Sequence, residues 1–144
     1  MTTRYTCRVD GDAIVALDVH THVESDDHGH TSLDQELLDA SAKYFRSGQD
    51  RTPNVSRLAD HYRERDMAAV AFEGDARTLL GRLAISSEEV AEQASEHADV
   101  LIPFGSVDPH RGAEAIAQAR RLVEVHGVRG FKFHPSLQDF LPND

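Results

Sequence analysis

Short apolar runs alternate with amphipathic helical stretches along this chain of 144 residues, and that alternation limits its fold more than any other feature. The run Ile14-Val15-Ala16-Leu17 leads into Asp18-Val19-His20-Thr21-His22 and reads as a first buried strand. A polar, turn-like stretch from Val23 to His30 follows. Ser32 with Gln35 three residues on then has the form of a capping box, opening a helix that runs to Tyr44 or Phe45. Thr52 before Pro53 marks a second helix start, with Val55, Leu58, Ala59 and Tyr62 on one stripe. Met67 to Phe72 is a second strand that ends in Glu73-Gly74-Asp75. Ser86 and Glu89 repeat the capping pattern before Val90, Ala91 and Ala94, and Val100 to Phe104 is a third strand, weakened in its middle by Pro103. Asp108-Pro109 starts another helix, expected to bury Ile116, Ala117 or Ala119, and Val123, with Gly127 as its C′ residue. Arg129 to His134 is a fourth strand, and Pro135 to Asp144 is a loop with no helix after it.

Strands joined by helices require right-handed crossovers between parallel neighbours, which makes the class α/β. A complete small doubly wound sheet fits the length. A (β/α)8 TIM-type barrel needs eight strands and typically ~250 residues, so this chain would supply about its first four β/α units. Residues able to do chemistry recur after every strand: His20 and His22, Glu73 and Asp75, Asp108 and His110, Lys132 and His134. Barrel enzymes build their sites on that face. The expected architecture is therefore the barrel, with residues 1–13 an N-terminal extension and residues 14–144 the N-terminal half, truncated after strand four.

In an extended strand His20 and His22 point the same way, two rises of ~3.3 Å apart, close enough for one metal ion to take both. Asp18 is expected on that face one step deeper, where its carboxylate fixes the tautomer of a ligating imidazole. Lys132 and His134 alternate with Phe131 and Phe133 and so share a face, the barrel interior. His28-Gly29-His30 repeats the His-x-His spacing in a polar loop and reads as a solvated segment at the site entrance. His61, His97 and His126 fall in or beside helices. Asp108 reads as a helix N-cap with His110 in its first turn, and Glu73 and Asp75 either face the cavity or form an exposed turn.

Composition excludes several classes of function. Twenty-five acidic against fifteen basic residues give a net charge of −10, which repels nucleic acid and anionic membrane surfaces. Cys7 is the only cysteine, so no intrachain disulfide forms and a reducing compartment is the simpler reading. The first residues carry no apolar signal-like core, and no run approaches the ~18 apolar residues of a membrane span. The expectation is a soluble, cytoplasmic protein.

Three stretches together carry a family resemblance: Asp18-Val19-His20-Thr21-His22, Ser106-Val107-Asp108-Pro109-His110-Arg111-Gly112, and Gly127-Val128-Arg129-Gly130-Phe131-Lys132-Phe133-His134-Pro135-Ser136. From Ile14 onward the chain resembles the amidohydrolase superfamily, in particular its amidohydrolase-related branch of metal-dependent hydrolases and decarboxylases. The resemblance implies a distorted (β/α)8 barrel with a divalent metal, usually zinc, at its mouth, and His20 and His22 as the first two ligands. It implies hydrolysis of a small, carbonyl-type substrate by a metal-activated water, or decarboxylation on the same fold, and a possible homodimer. Some relatives bridge two metals through a carboxylated fourth-strand lysine. Here Lys132 is expected to face substrate or balance charge, and His134 to contact substrate or the metal-bound water. Members draw further ligands from strands five and six and an aspartate from strand eight, all beyond Asp144. Activity is accordingly expected of a full-length form. The expectation of another class is that this chain is an inactive fragment, or a metal-binding or assembly module.

Overall fold

Three parallel strands, β1 (Ala16–His22), β2 (Met67–Phe72) and β3 (Leu101–Pro103), form a sheet in the order β1-β2-β3. The computed structural model describes residues 3–45, 52–82 and 85–143, with Phe45 described by its backbone alone. Met1 and Thr2 of the expected extension, and Asp144 of the expected C-terminal loop, lie outside the described residues. The helices are α1 (Gln35–Phe45), α2 (Val55–Arg63), the single turn α3 (Arg77–Leu80), α4 (Ser87–Glu96), α5 (Ala113–Arg121) and the single turn α6 (Pro135–Gln138). A 3-10 turn, Pro109–Arg111, precedes α5, and a π-helical turn, Leu122–His126, prolongs it.

Strand β2 sits at the centre because it is apolar on both faces, as a strand with neighbours on either side must be. Ala69 and Ala71 pack outward with Val55, Leu58, Ala59 and Tyr62 of α2, Val90 and Ala94 of α4, and Leu101. The small alanines let these helices lie close on the sheet. The second cluster, Ala91, Val107, Ala115, Leu122 and Val128, seats α5 against α4 and the end of β3.

The β1–β2 ladder contains an irregularity that matters for the site. Asp18 pairs with Ala69 and Thr21 with Ala71, so Val19 and His20 together stand opposite Val70 alone. This is a β-bulge, two residues facing one, and it interrupts strict alternation. Asp18 and Thr21, three apart, therefore share the outward face. Both meet the Tyr62 hydroxyl, which donates to Asp18 Oδ2 (2.7 Å) and lies 3.0 Å from Thr21 Oγ1. The Tyr62 proton is committed to the carboxylate, so Thr21 is the donor of the second bond.

Several expectations are corrected here. The fourth strand is reduced to one parallel bridge, Gly105 with Phe131, although Arg129 donates to the Pro103 carbonyl at 2.9 Å. Pro103 has no N–H to return, so the ladder cannot close a second bridge there. The segment after it is not all loop, since Pro135–Gln138 makes the one-turn helix α6. Helix α1 is capped by Asp34, whose Oδ1 accepts the Leu37 N–H at 2.9 Å, while Ser32 bonds Glu24 instead. Asn54, not Thr52, caps α2 by accepting the Arg57 N–H. On α5 the buried stripe is Ala115, Gln118 and Leu122; of the expected residues Ala119 is partly buried against it, whereas Ile116 (59%) and Val123 (43%) are exposed. Gln118 was invisible to a hydrophobic pattern because it is buried through polar bonds, to Arg111 and Glu88.

Ser86 and Asp108 do cap as expected, accepting from the Glu89 and His110 amides. Gly127 ends the π-helical turn in the left-handed region at φ 76°, and a Cβ there would sit 2.7 Å from the Tyr5 carbonyl. Of the described N-terminal extension it is Tyr5 that packs against the domain. Tyr5 is buried, its hydroxyl donates to the Leu101 carbonyl at 2.8 Å, and its amide donates to His126 O at 2.9 Å.

Candidate metal centre

The inward face of the strand ends carries the imidazoles. His22 is the register partner of Phe72, and His20 turns to the same side beyond the bulge. Their Nε2 atoms are 3.2 Å apart. Lys132 Nζ reaches within 3.4 Å of His20 Nε2. All three groups converge on one ring. Phe72 has its centroid 5.5 Å from that of His20, 4.9 Å from that of His22 and 5.1 Å from Lys132 Nζ. Phe72 forms the apolar floor of the site, a role that its place opposite His22 in the register could have revealed.

Burial holds His22 neutral, moving its pKa down to about 4, with His20, Lys132 and His134 adding repulsion in that order. A neutral imidazole keeps the lone pair that a metal needs. The spacing also fits. Two nitrogens at ~2.05 Å from a tetrahedral ion are ~3.3 Å apart, against 3.2 Å here. Catalytic zinc generally takes three protein ligands, of which two such nitrogens would make up two. Among the described residues no cluster of three metal-ligating side chains occurs.

Asp18 does not serve the imidazole rings. The bulge directs its carboxylate outward, where Oδ2 holds Tyr62 and Oδ1 accepts the His20 backbone N–H at 2.9 Å. The Tyr62 hydroxyl, ahead of that amide, keeps Asp18 below the usual carboxylate range. It fixes the strand that carries the histidines rather than their tautomers.

Glu73 and Asp75 do not form an exposed turn, since both are 1% exposed. They belong to a sealed polar network behind the strand ends. Ser87 donates to Glu73 Oε1 at 2.6 Å and accepts the Ser106 N–H at 2.9 Å. Asp75 takes a forked pair of bonds from Arg77, and its amide donates to Ser106 Oγ at 3.0 Å. Burial raises the Glu73 carboxyl to about 8, with the nearby Asp75 adding to the rise. Asp108 caps the turn at His110 and also accepts the Thr78 N–H. His30 is bound to Asp26, and His28 lies 3.7 Å from Glu89, so the second His-x-His belongs to its own loop.

An α/β domain that gathers imidazoles and a lysine at the carboxyl ends of parallel strands has the arrangement in which barrel enzymes perform their chemistry. The family whose model matches, over residues 17–144, is described as Amidohydrolase, and the chain belongs to it, in the amidohydrolase-2 branch. Neither a curated protein nor a solved structure matches the chain. Members of the family generally use divalent metals and act on small molecules. Among the described residues no helix is long and apolar enough to cross a membrane.

Proposed function

We propose that this chain carries part of the site of a metal-dependent hydrolase, in which His20 and His22 hold a divalent ion, zinc by the family resemblance. The observation that carries the reading is the Nε2 pair, 3.2 Å apart over the Phe72 ring. Held by His20 and His22, a divalent ion would supply Lewis acidity toward a water and a substrate carbonyl. The chain's own residues prepare the place. Phe72 excludes water beneath it, the Asp18–Tyr62 bond anchors the strand, and Lys132 presents a cation to the substrate.

A second reading, carbon–carbon lyase chemistry on a carboxylate, draws on Lys132. Among the described residues its ammonium has no carboxylate partner, only His20 and the Phe72 face. A substrate carboxylate is the counter-ion such a lysine lacks.

The test is metal content by inductively coupled plasma mass spectrometry on the purified chain and on His20→Ala/His22→Ala. About one ion per chain, lost in the double variant, is the expected result. A variant that retains the ion would overturn the assignment, and a folded chain that never takes one would overturn the view that these two imidazoles suffice to bind it.

A further inference from the structure

His134 stands outside the imidazole pair, and its ring is already engaged. Its Nδ1 accepts the backbone N–H of Leu137 at 3.2 Å, closing the first turn of α6, and lies 3.2 Å from Ser136 Oγ. The Leu137 amide is shared between the His134 carbonyl (3.0 Å) and Nδ1, and because it can only donate, this geometry favours Nδ1 as the unprotonated nitrogen, with the Ser136 hydroxyl donating to it as well. The ring proton of neutral His134 is then confined to Nε2. Among the described residues Nε2 has no partner, and the side chain is exposed two residues beyond Lys132, whose Nζ lies 3.4 Å from His20 Nε2.

The backbone around this ring is fastened from beneath. Gln138, 1% exposed, accepts the His134 N–H at Oε1 (2.8 Å). Its Nε2 donates to the carbonyls of Asp75 (2.8 Å) and Val107 (3.0 Å), and its own carbonyl accepts from His110 Nε2 at 2.6 Å. One side chain thus ties the loops after β2 and β3 to the segment bearing His134. Such anchoring fixes the direction of a donor, as recognition of a substrate oxygen requires.

We propose that His134 is locked as the Nε2–H tautomer and serves as a fixed hydrogen-bond donor to a carbonyl or carboxylate oxygen of the substrate, and neither as a metal ligand nor as a base. The substrate's location rests on the metal reading of His20 and His22, whereas the tautomer does not.

Long-range proton–nitrogen correlation spectra of the 15N-labelled full chain, before and after Zn2+, separate the two. The expected result is His134 protonated at Nε2 in both spectra, with the zinc-induced changes confined to the His20 and His22 rings. His20 and His22 unresponsive to Zn2+ beside an Nε2–H His134 would uphold the tautomer and remove the metal reading alone. An Nδ1–H tautomer, or a His134 ring that responds to Zn2+ as a ligand does, would overturn the inference. The donor role is read with acetate as the oxygen probe on the Zn2+-treated chain. His134→Asn retains an acceptor for the Leu137 amide and loses the Nε2 donor. It is expected to keep the wild-type circular dichroism spectrum and to bind acetate roughly tenfold more weakly. Unchanged acetate affinity would overturn the role.

Discussion

The two faces of the same strand ends differ in what their polar groups are doing. On the outward side Glu73, Asp75, Ser87, Ser106 and Asp108 are all buried and, apart from Glu73 Oε2, bonded to one another or to neighbouring backbone. On the inward side His20 is exposed and Lys132 half-buried, and the contacts they make are with each other, with His22 and with Phe72. Bonds of the first kind hold loops, because each donor has its acceptor within the protein. Groups of the second kind hold no loop in place, and they are the ones that the proposed function uses. Stability and chemistry are thereby divided across a sheet one strand thick.

Removing Asp75 should test that division most severely. Asp75→Ala strips Arg77 of its forked partner in a largely buried setting, an expected loss of about 3 kcal/mol or more in urea unfolding. His20→Ala/His22→Ala should stay within ~1 kcal/mol of the parent. Similar costs for the two would erase the distinction between the faces.

Next in size is a change of pH profile. The Glu73 carboxyl, raised from 4.5 to about 8 by burial, keeps in the folded state a proton that the unfolded chain releases. Its contribution to stability is full below pH 4.5 and is lost as pH rises through about 8. Glu73→Gln cannot titrate. The melting temperature of that variant should fall less between pH 5 and 9, by roughly the slope one proton imposes, and it should exceed the parent at the alkaline end. Parallel profiles for parent and variant would show Glu73 to be ionised throughout.

Tyr62→Phe sharpens the contrast from the strand itself. It takes a donor from Asp18 and an acceptor from Thr21, and about 1–2 kcal/mol of stability should go with it. Zinc uptake should weaken as well, since the bulge that aims His20 loses its brace. Unaltered uptake would mean that the imidazoles are positioned from the inner face alone. The smallest effect is at the first helix. Asp34→Ala should lower the melting temperature by the equivalent of ~1 kcal/mol, and the α1 amides should exchange faster. The same exchange pattern in Ser32→Ala would return the cap to Ser32.

The elements legible in the sequence were those with an unambiguous period. β2, with six apolar residues in a row, and α2, with its stripe of Val55, Leu58, Ala59 and Tyr62, match their expected positions, and the pairing of His20 with His22 follows from parity after the bulge. What was hidden depends on contacts between distant segments. Asp18 changes face because of one extra residue opposite Val70, which no local pattern announces. Glu73 and Asp75 look like a surface turn until α4 brings Ser87 over them. Gln138 sits in a polar tail, and only the loops that it joins show why a glutamine there is 1% exposed.

The bulge carries a consequence for how chains of this kind vary in length. An inserted or deleted residue inside a buried strand ordinarily exchanges every side chain beyond it between core and solvent. Val19 and His20 share one partner, so the residues before them and after them already keep the same inward and outward assignment. At this one point a single-residue deletion would leave Leu17 and His22 facing as they do now and alter only how far the imidazoles project over Phe72. Alignments of related sequences should therefore place gaps between the aspartate and the first histidine, where a one-residue difference changes the reach of the site and leaves the core intact.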